Sequence, residues 1–180
     1  MKLWHRLYVF ILVAIGKAVD IWSTKPYPAN VLSNLYPNTF EIDGVQCASM
    51  EGFLQSLKFQ DINKQREICA LSGKDAKDSS TTVWQSTQTV YWQEHVIHRQ
   101  SQAFIKLIKR AYETLYTQND SFREALLSTR GKRLYHIGGV TDSYKTILTE
   151  VEFCSILTEI RDGAYKREKK ERLHFTAIPS

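Results

Sequence analysis

The residues 49–59, SMEGFLQSLKF, carry the best-ordered set of chemically active groups in the chain. Met50, Phe53, Leu54 and Leu57 recur at i, i+3, i+4 and i+7, which predicts a helix with one apolar stripe. Glu51, Gln55 and Lys58 recur at i, i+4 and i+7 and share the opposite stripe, within about 60° at 3.6 residues per turn. A carboxylate, an amide and an ammonium therefore point the same way. Between them they can accept a proton, donate and accept hydrogen bonds, and hold an anion. Glu51 stands in the first turn, where the helix dipole favours its charge. Gly52 costs about 1 kcal/mol of helix propensity relative to alanine, so its presence points to close approach by a ligand or another segment. The same charges on an open helix face are ordinary solvated groups, and spacing alone does not decide between the two readings.

Other chemistries find little support. Ser72-Gly73-Lys74-Asp75 has no second glycine at phosphate-loop spacing. Neither GxSxG nor GxGxxG occurs. His95 and His98 lie three apart with no carboxylate or cysteine pattern to complete a metal site. His136 ends a predicted strand and enters Gly138-Gly139, a placement that suits an active-site group or a half-buried structural histidine. Cys47, Cys69 and Cys154 are scattered and odd in number, which argues against a disulfide framework and for small buried side chains.

The elements that must position these groups follow from the flanking sequence. Residues 8–22 read as one or two strands broken at Gly16-Lys17. Residues 23–38 hold three of the four prolines and three asparagines, which predicts a long structured loop. Phe40 to Cys47 alternate around Asp43-Gly44, a hairpin signal. Ser49 opens a helix to about Phe59, and a second runs from about Ile62 to Leu71. Residues 74–98 are less regular and include another helix. A longer helix spans about Arg99 to Tyr116, and Ser121 caps a short one. Arg133 to Ile137 is a strand. Thr149 and Glu152 form a capping box for a last helix that ends at Gly163. The expected fold is α+β: one mostly helical domain with a small mixed sheet, over residues 1–164, followed by a basic tail, 165–180.

Composition fits this. The 180 residues are 43% hydrophobic and 24% charged, ordinary for a globular domain that needs no staples. The net charge is +5, of which residues 165–174 (five Lys or Arg, two Glu) supply +3. That tail reads as a solvated helix end. The apolar run Leu7 to Ile15, behind Lys2, His5 and Arg6, imitates a signal peptide but is too short to span a bilayer. Its aromatic and β-branched residues favour a buried first strand. The free cysteines fit a cytoplasmic location.

Residues 32–59, LSNLYPNTFEIDGVQCASMEGFLQSLKF, resemble the N-terminal signature of the NADAR superfamily, the YbiA-like N-glycosidases. The signature joins an SN-x-YP loop, a hairpin with a glycine, and S-x-E-(H/G)-(Y/F)-x-Q-x-x-K. The matching residues are Ser33, Asn34, Tyr36, Pro37, Gly44, Ser49, Glu51, Gln55 and Lys58. Gly73–Lys77 with Trp84, Leu126–Thr129 with Leu134, His136-Ile137-Gly138 and residues 148–154 resemble later blocks, so the similarity covers about residues 17–162. The family's late aspartate is followed in many members by Tyr/Trp-Trp-Gly. Here Asp142-Ser143-Tyr144-Lys145 lacks that Trp and Gly, which leaves the late acidic role to Asp142, Glu150 or Glu152.

The resemblance implies a YbiA-like fold and cleavage of an N-glycosidic bond in ADP-ribosyl compounds, such as ADP-ribosylated guanine, or in ribosyl phosphates. It implies Glu51, Lys58 and Asp142 as catalytic residues, with Glu51 stabilising the oxocarbenium-like sugar and orienting water. Ser33, Asn34, Tyr36, Gln55, Trp84 and His136 would bind substrate, Asn34 and Gln55 by hydrogen bonds and Trp84 by stacking. No metal ion and no cofactor is expected. The expected partner is a nucleotide-like small molecule or ADP-ribosylated nucleic acid, and no stable membrane partner is expected. The alternative is a binding module that keeps the pocket without turnover.

Overall fold

The computed structural model describes residues 3–176, with side chains described for residues 4–164. The chain begins with a helix, α1 (Leu3–Ala14), where a strand was expected. Strand propensity of the individual residues loses here to tertiary context, which decides whether a segment pairs into a sheet. The helix satisfies its own backbone and packs one face on β1 (Ala18–Asp20), burying Val9 completely. β1 pairs in parallel with β6 (Arg133–Tyr135), Ala18 opposite Arg133 and Asp20 opposite Tyr135.

The loop of residues 23–38 leads into the hairpin β2 (Phe40–Ile42) and β3 (Val45–Cys47). Asp43 and Gly44 both have positive φ, 51° and 74°, which suits the tight turn whose twist matches that of the strands. Asp43 is also a tertiary anchor. Its carboxylate accepts from both Arg110 nitrogens at 2.5 and 2.7 Å and from Trp92 Nε1 at 2.7 Å. The Arg110 hydrogen bond holds its pKa below the ordinary carboxylate value.

Helix α2 (Met50–Ser56) starts at Ser49, whose hydroxyl accepts from Gly52 N at 2.9 Å and donates to Leu71 O at 3.0 Å. Met50, Phe53, Leu54 and Leu57 are all buried, as their spacing requires. Helix α3 (Ile62–Cys69) is capped by Asp61 and delivers its C-terminal carbonyls against α2. Next come α4 (Gly73–Asp78), α5 (Trp84–Thr87) and a second hairpin, β4 (Thr89–Trp92) and β5 (His95–His98). This hairpin has no Gly or Asn at its turn. Gln93 adopts positive φ and is held from outside: its N–H donates to Gln65 Oε1 and its side-chain amide to Asp43 O, both at 2.8 Å.

Helix α6 (Gln102–Gln118) buries Phe104, Leu107, Ile108, Ala111, Tyr112 and Leu115 through the centre of the core. It starts at the cap Ser101, so Arg99 stays outside it and is buried with a different task. Helix α7 (Asp120–Leu127) is capped by Asn119, not Ser121. Helix α8 (Glu150–Thr176) opens on the expected capping box. Thr149 N and Oγ1 donate to Glu152 Oε2 at 2.8 Å, and Glu152 N donates to Thr149 Oγ1 at 3.2 Å. It does not stop at Gly163, because a glycine inside a helix costs only about 1 kcal/mol relative to alanine and no proline follows until Pro179. The basic tail continues this helix as far as Thr176, and residues 177–180 lie outside the described residues.

The result is the expected mostly helical α+β fold; among the described residues its strands lie in three separate pairs, one parallel and two antiparallel. One contiguous apolar core joins the loop residues Val31 and Leu32, the first hairpin, α2, α6, α7 and the first turns of α8.

Gly52 sits where α2 meets the end of α3. A Cβ there would lie 2.6 Å from Leu71 O and 2.8 Å from Ile68 O, both backbone atoms that cannot rotate away. Another segment, not a ligand, therefore accounts for the glycine. Gly52→Ala is expected to destabilise the fold by about 2–3 kcal/mol, despite alanine's better helix propensity, measured by urea unfolding.

Candidate functional site

The two ends of the loop–hairpin–helix unit close on a cavity of about 540 Å³. Its floor is α2, through Glu51, Leu54 and Gln55, with Lys58 just beyond the helix end. One wall is the loop carrying Ser33, Asn34 and Leu35. Another is the Trp22–Thr24 segment after β1, with His136 after β6. The last is the stretch Gly138–Glu150, closed by Phe153 on α8.

Glu51 is placed by its backbone and its neighbour. Its N–H donates to Asn34 O at 2.8 Å, and its Oε1 accepts from Gln55 Nε2 at 2.8 Å. Gln55 is 6% exposed, and its Oε1 is buried with no hydrogen-bond partner among the described residues. A buried amide oxygen left unpaired costs about 1–3 kcal/mol, which a ligand hydroxyl or N–H can recover. Asn34 is fixed in the same way. Tyr112, wholly buried, donates its hydroxyl to Asn34 Oδ1 at 2.6 Å. Burial first, then the nearby Glu51 charge, pushes the Tyr112 phenol well above its ordinary pKa, so it stays a donor. With Oδ1 so engaged, the Asn34 amide nitrogen is turned outward as a donor, an orientation assigned from this partner.

Lys58 falls one residue past the helix cap, Leu57, in a tight turn whose N–H donates to Gln55 O at 3.2 Å. Its ammonium still lines the cavity, donates to Ser80 Oγ at 2.7 Å and stands 5.8 Å from the centre of the Trp84 ring. Burial lowers its pKa to about 8, with Glu51 opposing that shift. Trp84 itself is buried behind Lys58 and does not line the cavity, and its Nε1 has no partner among the described residues.

His136 Nδ1 lies 2.7 Å from Ile21 O. A carbonyl only accepts, so Nδ1 carries the proton and Nε2 is the ring's acceptor when the imidazole is neutral. Its ring packs at 4.6 Å on Trp22 and at 5.7 Å on Phe153. The next peptide is tied down by Asp20, whose Oδ1 accepts from Ile137 N at 2.8 Å.

Of the sequence-derived set, Ser33, Asn34, Glu51, Gln55, Lys58 and His136 line this one cavity. Tyr36 lines a neighbouring cavity of about 580 Å³ that shares Ser23, Leu35 and Lys77 with it. Asp142 does not line either. Its carboxylate accepts from Tyr144 N at 2.9 Å and lies 3.8 Å from Lys145 Nζ, so it shapes its own loop. Of the other two late acids, Glu152 is engaged by Arg99 NH1 and NH2 at 3.1 and 2.6 Å, while Glu150 lines the cavity. Trp22, Lys77 and Lys145 also line it and were not singled out from sequence. None belongs to a periodic stripe, so only the tertiary fold could reveal them.

The cavity lining thus includes one glutamate fixed by a neighbouring amide, a second glutamate, Glu150, the amides Asn34 and Gln55, and three lysines. This suits a polar, anionic ligand with sugar-like hydroxyls. Because Lys58 keeps its charge below about pH 8 and loses it above, affinity for ribose 5-phosphate is expected to weaken several-fold between about pH 7 and about pH 9. Lys58→Arg, which does not titrate there, should flatten that dependence. Calorimetric titration of both proteins measures it.

Residues 26–162 match the family described as Bacteriophage protein GP30.3. An uncharacterized 17.1 kDa protein from the Gp30–rIII intergenic region of Enterobacteria phage T4 is 36% identical over 149 residues, covering 81% of this chain and 97% of that protein. The NMR structure of the E. coli protein YbiA superposes with a TM-score of 0.58 at 15% identity, covering 85% of this chain and 88% of that one. The expected YbiA-like fold is therefore present.

Proposed function

We propose that this chain, which belongs to the Bacteriophage protein GP30.3 family, is an N-glycosidase that hydrolyses the bond between C1′ of a ribosyl group and a base nitrogen, in ADP-ribosyl or ribosyl-phosphate compounds. The observation that carries the reading is the joint presence of Glu51, Gln55 and Lys58 around one cavity, with the carboxylate held by Gln55 and the amide oxygen of Gln55 left to accept. The resemblance of residues 32–59 to the NADAR signature supplies the reaction class.

The chemistry balances with these groups alone. The C1′–N electron pair departs with the base as positive charge builds on the ribosyl ring. The Glu51 carboxylate stabilises that charge electrostatically in a partly dry cavity, where such an interaction is stronger than in water. A water oxygen then bonds to C1′, and its proton passes by way of Glu51 to solvent or to the leaving nitrogen. Asn34 Nδ2 and Gln55 Oε1 offer a donor and an acceptor to ribose hydroxyls. Lys58, with Lys77 and Lys145, offers positive charge to a phosphate. His136 and Trp22 give an aromatic wall for the base. Glu150 takes the late acidic role in this scheme, since Asp142 faces its own loop.

Purified protein incubated with ADP-ribosylated guanine nucleotide, or with a ribosyl-phosphate N-glycoside, is expected to release the free base, followed by chromatography. Glu51→Gln should lower the rate by about 100-fold or more while leaving the thermal midpoint within a few degrees. Saturable binding without product would assign the cavity to a binding module instead. A collapse in the thermal midpoint would mean that Glu51 serves the fold.

A further inference from the structure

Helix α1 carries an apolar face that the other described residues leave uncovered. Trp4, Leu7, Tyr8, Ile11 and Ile15 are 79%, 50%, 48%, 49% and 61% exposed. At 3.6 residues per turn they fall within about 100° of one another, while Val9, on the other side, is fully buried. Phe10 extends the face at 70% exposure. Large contiguous apolar patches on a folded surface mark an interaction site. The helix stands outside the family match, which begins at residue 26, and outside the cavity.

The charge around this face identifies the partner. Residues 1–19 contain Lys2, Arg6 and Lys17 and no Asp or Glu. Arg133 stands beside the face: its backbone N–H donates to Lys17 O at 3.0 Å and its guanidinium to Tyr8 Oη at 3.3 Å. The first acid in the chain, Asp20, is buried and paired with Lys25. Aromatic residues at both edges of an apolar stripe, on a segment whose formally charged side chains are all cationic, suit the headgroup boundary of an anionic bilayer. A helix of 12 residues is about 18 Å long, against a hydrocarbon core of about 30 Å, so it would lie in the interface and not cross it.

We propose that α1 is an interfacial helix that seats the protein on anionic membrane surfaces through Trp4, Leu7, Tyr8, Ile11 and Ile15. This stands apart from the N-glycosidase reading and reverses the expectation of no membrane partner.

Flotation of the full chain with phosphatidylcholine vesicles, with and without phosphatidylglycerol, tests it. Binding is expected to the anionic vesicles, weakening with added salt. The double variant Leu7→Glu/Ile11→Glu should lower the bound fraction about tenfold with an unchanged circular-dichroism spectrum, and Arg6→Glu should also lower it. Absence of binding to either vesicle overturns the proposal. So does a dimer in analytical ultracentrifugation that the double variant dissolves without any vesicle binding, which gives the face to a second copy. An intact mass lacking about the first 18 residues overturns it as well, because the helix is then a removed leader.

Discussion

The seating of α2 against the end of α3 is the constraint on which the site depends. Three contacts within four residues produce it. The Ser49 hydroxyl joins Gly52 N to Leu71 O, Gly52 lets the α3 carbonyls approach where a Cβ would collide, and Glu51 N reaches Asn34 O. A cap of this kind contributes about 1 kcal/mol on its own. Here it also fixes rotation about the helix axis. A turn of α2 by one residue would be about 100°, enough to carry Glu51 out of its place in the cavity lining. Backbone contact, not side-chain charge, therefore aims the carboxylate.

The opposite wall is aimed by a different device. Buried Arg99 holds Glu152 through two hydrogen bonds and lies 3.4 Å from Thr146 O, and Glu152 caps Thr149. Burial alone would raise the Glu152 pKa. The hydrogen bonds from Arg99 and Thr149 outweigh it and hold the carboxyl below its ordinary value. Removing either member of such a buried pair commonly costs about 3–5 kcal/mol. Further along, Gln85 and Gln88 donate to Lys145 O and Tyr144 O at 2.8 and 3.1 Å, and Gln100 donates to Ser143 O at 3.1 Å. The segment that closes the cavity is thus tied to the core at one end by an ion pair and along its length by amides. Glu150 gains its position from this scaffold while Asp142, in a self-contained turn, does not.

What the sequence made legible divides along the same line. Local signals read correctly: the Asp43-Gly44 turn, the Ser49 cap, the buried stripe of α2 and the Thr149–Glu152 box each depend on residues within a few positions of one another. The β4–β5 hairpin did not show, because its turn is stabilised by Gln65 and Asp43, remote in sequence. The first segment failed for a related reason. Tyr8, Val9, Phe10, Ile11 and Val13 favour a strand by residue type, yet tertiary context decides, and here the segment satisfies its own backbone as a helix packed on β1. In the site, Glu51, Gln55 and Lys58 were visible as a stripe, although Lys58 reaches the cavity from a turn after the helix. Trp22, Lys77 and Lys145 are brought in from three separate loops or short helices and carry no shared pattern.

The buried polar atoms separate fold from function. Asp20 and Arg99 are buried and satisfied by the partners given above, buried Arg161 donates to Thr129 O and Lys132 O at 3.0 and 2.9 Å, and the buried Thr129 hydroxyl donates to Leu126 O at 2.6 Å. Their hydrogen bonds account for their presence in the core. Gln55 Oε1 differs: among the described residues it is buried without a partner, as Trp84 Nε1 is, but Gln55 is a lining residue of the cavity. A glutamine kept only to orient Glu51 would leave that oxygen a standing cost, whereas one that also accepts from a ligand recovers it on binding. Trp84 Nε1 is likewise unpartnered but lies behind Lys58, outside the cavity lining, so the same reasoning does not extend to it. The asymmetry between these two residues is that Gln55 lines the cavity while Trp84 lies against Lys58 outside it.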